Sequence, residues 1–199
     1  MLESNVLVRP PLSVARRRFT SREYYAMLEA GILHEDDRLE LIEGEIIEMS
    51  PINPAHASHV ARLMRLFAKR LDERAFLSPQ NPLDLGDLSQ PEPDVLVLKP
   101  REDDYERSHP APADVLLLVE VSDSTIDYDR NVKALLYARV GVREMWIVNL
   151  PERQLEIYRH PTRKGYNDHH TFKRGEAVAL LAFPEATFQV SEILSKTGR

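Results

Sequence analysis

Two uninterrupted apolar runs in the middle of the chain predict buried β-strands. The first extends from Pro93 to Leu98 and the second from Val115 to Ser122. Both are short, rich in aliphatic and β-branched residues, and bounded by proline or polar residues, which is typical of strands in a sheet interior. Each run also contains one carboxylate near an end, Asp94 in the first and Glu120 in the second. Because a buried unpaired charge is costly, both carboxylates need a partner.

Antiparallel pairing of the two runs predicts a metal site. If Asp94 lies opposite Glu120, the connecting turn centres near Arg107, within the polar stretch 101–112. Opposed residues point to the same face with Cβ atoms about 4.5–5.5 Å apart. Two carboxylates that close repel each other unless a divalent cation lies between them or one is protonated. Mg²⁺ takes one or two carboxylates and keeps several waters. A plain hairpin with hydrated acidic ends fits the same spacing, so both interpretations stay open.

The first fifty residues predict an arm, a helix and a hairpin. Residues 1–18 lack hydrophobic periodicity and predict an extended or flexible N-terminal arm, and residues 19–199 then form a single domain. Thr20 and Glu23 have the spacing of a capping box at the start of a short helix. Residues 38–49 alternate apolar and charged positions around Glu43-Gly44, which indicates a tight hairpin.

The next periodic segment predicts an amphipathic helix over residues 56–74. Its apolar positions recur at helical spacing. Arg62, Arg65 and Lys69 fall on the opposite face. A row of cations on that face is either a hydrated surface or a contact for the phosphates of a nucleic acid, which Arg and Lys hold.

The remaining pattern predicts a mixed sheet flanked by helices. Strands are expected over 76–85, 145–150 and 155–159, and a further hairpin over 170–174 and 177–181 with its turn near Gly175. A helix over 128–140 follows capping groups at 123–125 and ends before Gly141. A short helix is expected over 190–196. The order indicates an α/β (α+β) fold with a largely antiparallel, mixed sheet.

Composition excludes several classes of protein. The 199 residues contain 43% hydrophobic and 29% charged residues, as in ordinary globular proteins. The absence of cysteine excludes disulfides and thiolate metal sites. No apolar stretch approaches the ~20 residues of a membrane span, and no signal-peptide core is present, so we expect no membrane partner and a cytoplasmic location. The net charge of −6 argues against a protein coated in nucleic acid, although a local patch can still contact it.

An ordered set of short motifs is similar to a known family. The chain resembles the Uma-two family of putative restriction endonucleases, in the PD-(D/E)XK nuclease superfamily, over about residues 20–195. The motifs are Glu40-Leu41-Ile42-Glu43-Gly44-Glu45, Met49-Ser50-Pro51, His59, Pro91-Glu92-Pro93-Asp94-Val95, Glu120-Val121-Ser122-Asp123-Ser124-Thr125, Tyr128-Asp129-Arg130, Lys133, Tyr137-Ala138, Gly141-Val142 and Glu144-Met145-Trp146-Ile147-Val148. The resemblance implies a restriction-endonuclease-like sheet.

The superfamily pattern consists of an aspartate after a proline and, further along the chain, an acidic residue, any residue and a lysine. One position of this chain departs from that pattern. Asp94 and Glu120 match the acidic positions, but Ser122 stands where lysine is expected. In this family the lysine appears on the following helix, and Lys133 is the matching position. An i,i+4 pair with Asp129 on an exposed helix face is the structural alternative for Lys133.

The resemblance implies a mechanism as well as a fold. Asp94, Glu120 and the Val121 carbonyl would hold Mg²⁺, with Mn²⁺ as a substitute, and Lys133 would stabilise charge on a phosphate. Glu40 would hold water, although the sequence does not separate it from Glu43. The expected substrate is nucleic acid, DNA in particular, and the expected assembly is a homodimer. A non-catalytic nucleic-acid-binding or scaffold module that retains the fold is the alternative.

Overall fold

Six strands form one mixed sheet in which neighbours in the sheet are neighbours in the chain. The computed structural model describes residues 16–194. All neighbouring strands in the sheet are antiparallel except Val115–Ser122 and Glu144–Asn149, which are parallel and are joined by a helical crossover. The strands are β3 (Phe76–Pro79), β4 (Val95–Leu98), β5 (Val115–Ser122), β6 (Glu144–Asn149), β7 (Gln154–Thr162) and β8 (Gly165–Phe172).

Helices and two small hairpins surround this sheet. The crossover begins with a single α-turn, widens into a π-helical segment and returns to α-helix. The helical elements are α1 (Ser21–Glu29), α2 (Pro54–Leu71), α3 (Ile126–Tyr128), the π-helical segment Asp129–Lys133, α4 (Ala134–Arg139) and α5 (Val190–Ile193). The hairpins are β1 (Leu39–Ile42) with β2 (Glu45–Glu48), and β9 (Ala177–Ala179) with β10 (Thr187–Gln189). The mixed α/β fold expected from the sequence is the fold observed.

The central strands of the sheet are buried on both faces, which explains why they are apolar almost without interruption. Val95 and Val119 pack with α2 and α5 on one face. Leu96 and Leu118 pack with Ala134 of α4 on the other face. Alternation along a strand therefore places Asp94 and Glu120 on the α4 face, since each is two residues from a leucine of that face.

Three aromatic rings join α2, β6 and β10 on the α2 face. The centroids of Phe67 and Phe188 are 5.3 Å apart, and each lies 6.1 Å from the centroid of Trp146. All three side chains are fully buried. Aromatic pairs at these separations add to the free energy of burial, so the C-terminal hairpin is held to the main core by this cluster.

The first hairpin turns where the sequence predicts. Glu43 and Gly44 both have positive φ, 48° and 80°, as a two-residue turn of this kind requires. A Cβ placed on Gly44 would lie 2.5 Å from the Cβ of Arg18. Only glycine satisfies both the backbone conformation and this close approach.

Several predicted boundaries differ from those observed, for local reasons. Helix α2 begins at Pro54 rather than His56 because Asn53 caps it, accepting a hydrogen bond from the His56 N–H at 2.9 Å. The predicted strand 76–85 ends at Pro79 because Gln80 takes a left-handed conformation with φ of 48°. The predicted helix 128–140 begins earlier, at residue 126, and contains the π-helical segment.

The predicted hairpin of 170–174 with 177–181 is wrong. Strand β8 pairs with β7, whereas β9 pairs with β10, so residues on either side of Gly175 belong to different sheets. Gly175 has a φ of 98° and turns the chain away from the large sheet. The apolar content of 177–181 indicated a strand, but its partner lies further along the chain than the sequence pattern suggests.

The N-terminal arm is described only in its last residues. Residues 1–15 of the predicted arm lie outside the described part of the chain, and so do residues 195 and 196 of the predicted final helix. Residues 16–18 have no regular structure, and the Phe19 N–H donates to the carbonyl of Gly44 at 2.9 Å. In residues 16–194 no helix is both long and apolar enough to cross a membrane.

Candidate active site

Strand register brings the two predicted metal carboxylates together. Val95 pairs with Val119, so the next step of the same register sets Asp94 opposite Glu120. Both residues are buried. The Val121 N–H donates to Oδ2 of Asp94 at 2.7 Å, which fixes this carboxylate against β5. The antiparallel pairing expected from the sequence is therefore confirmed.

Lys133 reaches the same place from the crossover. Its Nζ lies 3.3 Å from Oε1 of Glu120 and 3.1 Å from Oε2 of Glu40. The side chain is buried, so the alternative of an exposed ion pair with Asp129 is wrong. The Ala134 N–H donates to the carbonyl of Asp129, five residues back, which defines the wide π-turn that carries Lys133. Wide turns of this kind occur often at functional sites.

Glu40 is separated from Glu43 by its position on the first hairpin. Glu40 is buried and also accepts a long hydrogen bond, 3.4 Å, from the Glu92 N–H. Glu43 lies in the turn, is exposed, and pairs with Arg139 at 2.9 Å. Of the two, Glu40 is therefore the carboxylate that contacts Lys133.

Ser122 has a structural partner in place of the motif lysine. Its hydroxyl donates to Oδ2 of Asp129 at 2.6 Å, and the Thr125 hydroxyl donates to the same oxygen at 2.8 Å. These bonds hold the start of the π-helical segment against the end of β5. The serine thus positions the helix that supplies Lys133.

Carboxylates outnumber cations in this cluster, and the pKa values of several of these carboxylates are raised. Burial, together with the charges of Asp129, Asp94 and Glu40, raises the pKa of Glu120 to about 8 despite the attraction of Lys133. Burial likewise raises the pKa of Asp129. Burial and then the neighbouring Glu40 raise the pKa of Glu92. Raised pKa values mean that the ionised forms of these carboxylates are disfavoured. An additional cation bound among them would stabilise the ionised forms.

The cluster opens into a cavity of about 250 Å³. Its wall contains every side chain of the cluster just described except Ser122. The residues that line it include Glu40, Asn53, His56, Glu92, Asp94, Glu120, Val121, Asp123, Thr125, Tyr128, Asp129 and Lys133. The cavity therefore gives a ligand direct access to the carboxylates and to the ammonium group.

Most of the chain matches the model of a known protein family. Residues 22–191 match the model of a family described as "Uma2: Putative restriction endonuclease". The chain belongs to the Uma2 family. The family resemblance drawn from the ordered motifs is thereby confirmed, and the match covers both carboxylate strands, the crossover and the first hairpin of this Uma2 chain.

A solved structure shows a similar fold. The crystal structure of a putative nuclease belonging to DUF820, from Anabaena variabilis, superposes on this Uma2 chain with a TM-score of 0.64. The sequences are 16% identical, and the superposition covers 83% of this chain and 94% of the other. At this identity the likeness establishes the fold alone. No match was found among curated proteins.

The donor atoms at the strand ends fit a hard divalent cation. Asp94 and Glu120 present carboxylate oxygens. The Ser122 carbonyl accepts from the Leu150 N–H on the β6 edge of β5, whereas the Val121 N–H faces Asp94, so the Val121 carbonyl lies on the Asp94 edge. Among residues 16–194 no group of three or more His, Cys, Asp and Glu side chains could hold a metal ion. An ion here would therefore use two carboxylates, a main-chain oxygen and waters, which suits Mg²⁺.

The sequence did not single out several residues that shape the site of this Uma2 chain. His56, expected at a helix start, has its Nε2 3.0 Å from Oδ1 of Asp94. The Tyr137 hydroxyl donates to Oε1 of Glu120 at 2.8 Å. Asn53, which caps α2, donates to Asp123 at 2.7 Å. Tyr137 belongs to one of the motifs but does not line the cavity, whereas Asn53 and His56 belong to none of the motifs and do line it.

The other candidates from the sequence lie elsewhere. Arg65 and Lys69 are exposed on α2 and Arg62 is half-buried, and none of the three lines the carboxylate cavity. Their contact with nucleic acid stays a prediction. His59 is buried, with Nδ1 2.7 Å from the Ala55 carbonyl. Gln80 lines a second, neighbouring cavity instead.

Proposed function

We propose that this Uma2 protein is a Mg²⁺-dependent endonuclease that hydrolyses phosphodiester bonds of DNA. The observation that carries the proposal is the convergence of the Asp94 and Glu120 carboxylates with the Lys133 ammonium group in one cavity. Two acids and a lysine at one strand end are the groups that phosphodiester hydrolysis needs: ligands for a metal and a cation for the phosphate. The family match supports the same activity.

Asp94, Glu120 and the Val121 carbonyl are the groups that would hold the metal. Mg²⁺ bound there would lower the pKa of a water and offset the charge of the scissile phosphate. For Asp94 to take part, its Oδ1 must be shared with or released by His56, whose Nε2 lies 3.0 Å away. Oδ2 stays fixed by the Val121 N–H, so the carboxylate keeps its orientation during that exchange.

Lys133 acts in this proposal as a fixed positive charge. The charges of Glu120, Glu40 and Asp129 raise its pKa even though burial opposes this, so the side chain stays protonated at physiological pH. A protonated amine cannot take a proton from water. It can stabilise the extra negative charge that the phosphate acquires in the transition state.

Glu40 completes the proposed chemistry by orienting water. Its carboxylate lines the cavity and is held by Lys133 and the Glu92 N–H. During hydrolysis the water oxygen bonds to phosphorus, the bond from phosphorus to the leaving oxygen breaks, and that oxygen takes up a proton. The proton lost by the attacking water passes to solvent through the cavity mouth.

Nicking of plasmid DNA tests the activity. Purified wild type should nick a supercoiled plasmid with Mg²⁺ or Mn²⁺ and not with EDTA. Asp94→Asn should lower the rate at least about 100-fold, since the change removes a ligand charge. Asp168→Asn, at an aspartate on β8 outside the cavity, is the matched control and should nick like wild type.

Two results of this experiment would contradict the proposal. Equal nicking by wild type and Asp94→Asn would mean that the activity belongs to a contaminant or to another site. Binding of DNA without nicking would instead favour the non-catalytic module.

We also propose that the protein works as a homodimer, because closed two-fold assemblies are the commonest among soluble oligomers. The resemblance to the family first suggested this state. Light scattering should give a mass twice the 22.9 kDa of the chain. A mass equal to that of one chain at micromolar concentration would refute the dimer.

A further inference from the structure

A second cavity adjoins the carboxylate cavity and has a different character. Its volume is about 550 Å³, within the roughly 300–1,000 Å³ typical of ligand sites. Arg38, Met49, Ile52 and Glu92 line both cavities, so the two share a wall. A polymer that places one of its units in the first cavity can therefore place the adjacent unit in the second cavity.

One wall of the second cavity is aromatic. The rings of Tyr25 and His109 are almost parallel, with centroids 6.2 Å apart. Tyr24 packs edge-on against Tyr25 and is fixed by its hydroxyl, which donates to the Leu39 carbonyl at 3.0 Å. Flat aromatic surfaces of this kind are the supports on which unpaired bases stack.

Three buried polar atoms of the lining have no hydrogen-bond partner within residues 16–194. They are the Tyr25 hydroxyl, Nε of Arg38 and Oε1 of Gln90. Buried polar atoms are almost always paired, so each such exception requires a reason. These three side chains therefore carry at least one donor and one acceptor that the described part of the protein leaves unpaired.

The fold holds the unpaired amide oxygen of Gln90 in a fixed position. The residue is 5% exposed, and its backbone pairs with Leu41 of the first hairpin. Its amide NH₂ donates to Oδ1 of Asp84 at 2.9 Å, which leaves the amide oxygen as the end without a partner. A fixed, unpaired acceptor disfavours a phosphate and favours a group that carries its own N–H donors.

Two residues of the lining also have unusual backbone conformations. Arg38 and Gln80 take left-handed φ values of 52° and 48°. Residues other than glycine rarely adopt this conformation, and it is concentrated at ligand sites. The backbone of both residues is therefore compatible with a ligand site but does not by itself indicate one.

We propose that this second cavity binds one unpaired nucleobase of the strand that is cut in the first cavity. The inference rests on the proposed function and specifies its substrate as a nucleotide that is single-stranded or turned out of a duplex. A base is flat, so it stacks on Tyr25 and His109. Its edge carries both donors and acceptors, which match Arg38 and Gln90.

Binding of matched hexanucleotides without metal tests this site separately from cleavage. The probes are a thymidine hexamer and a hexamer of the same backbone and charge in which every base is absent, each titrated calorimetrically in EDTA. Wild type should bind the thymidine hexamer about tenfold more tightly, as expected for one base stacked on an aromatic ring. Tyr25→Leu should remove most of that ratio.

Two further variants make the result decisive. Tyr105→Leu, at a half-buried tyrosine outside both cavities, should keep the wild-type ratio. Arg38→Lys keeps the charge but removes the Nε donor, and should lower the ratio to about a third. If Tyr25→Leu does not fold, Arg38→Lys provides the test in its place.

The outcomes separate this inference from the proposed activity. Equal affinity of wild type for the two hexamers, no binding of either, or a ratio unchanged in both Tyr25→Leu and Arg38→Lys overturns the base site, whether or not plasmid is nicked. A ratio that depends on Tyr25 in a protein that does not nick plasmid upholds the base site and overturns the nuclease.

Discussion

Lys133→Met is expected to lower the nicking rate about 100- to 1,000-fold, the loss found when one fixed charge-stabilising donor is removed from an active site. The same change is expected to reduce the free energy of unfolding by about 3–5 kcal/mol, because it leaves buried carboxylates without their cation. Methionine fills a similar volume, so neither effect comes from a cavity. Both follow from the Nζ distances of 3.1 and 3.3 Å to Glu40 and Glu120.

Single-turnover nicking and urea denaturation measure these two effects. Lys99→Met is the matched control: Lys99 is exposed after β4, and its replacement should change the unfolding free energy by less than about 0.5 kcal/mol. Urea curves of Lys133→Met that superpose on wild type would show that the ammonium group does not compensate the carboxylates. A full nicking rate in a folded variant would exclude Lys133 from the chemistry.

The metal-free protein is expected to lose stability as the pH rises from about 5 to above 8. Glu120 has a folded-state pKa of about 8 against an ordinary value of 4.5, so the folded state binds its proton more tightly than the unfolded state does. Its contribution to stability is complete below pH 4.5 and disappears as the pH passes the folded-state pKa. A tenfold difference in proton affinity corresponds to about 1.4 kcal/mol, so the loss is on the order of a few kcal/mol.

Mg²⁺ should reverse this loss, because the ion competes with the proton for Glu120. The rise in Tm on adding Mg²⁺, followed by circular dichroism, should grow between about pH 6 and about pH 9, as the proton leaves Glu120. Glu120→Gln should flatten the pH dependence and remove the metal effect, whereas Glu106→Gln, at an exposed glutamate, should change neither. A metal-induced rise in Tm that is equal at both pH values would mean that the ion binds away from Glu120.

Local patterns were sufficient for much of the fold. The apolar runs around Val95 and Val119 predicted buried strands, and the supposed opposition of Asp94 and Glu120 agrees with the observed register. The capping box at Thr20 is formed as expected, with Glu23 N–H donating to the Thr20 hydroxyl at 3.2 Å. These features depend on neighbours in the chain, which the sequence displays directly.

The rest depended on contacts between distant segments. The partner of β9 could not be predicted because a strand of three residues can pair with almost any nearby strand. Its pairing with β10 accompanies the burial of Phe188 against Phe67, which lies far away in the chain. To predict that Glu40 rather than Glu43 contacts Lys133, one must know how the first hairpin is oriented relative to Lys133. The burial of Lys133 follows from a π-turn, which periodicity with a 3.6-residue repeat does not reveal.

Trp146 gives this protein a built-in reporter of its folding. It is the chain's single tryptophan and is fully buried between Phe67 and Phe188. Its ring belongs to the α2 face of the sheet, whereas Glu120 lies on the α4 face. Intrinsic fluorescence therefore follows loss of the packed interior with little direct influence from ions or nucleotides at the carboxylates, so stability and ligand occupancy can be recorded as independent signals from one unlabelled sample.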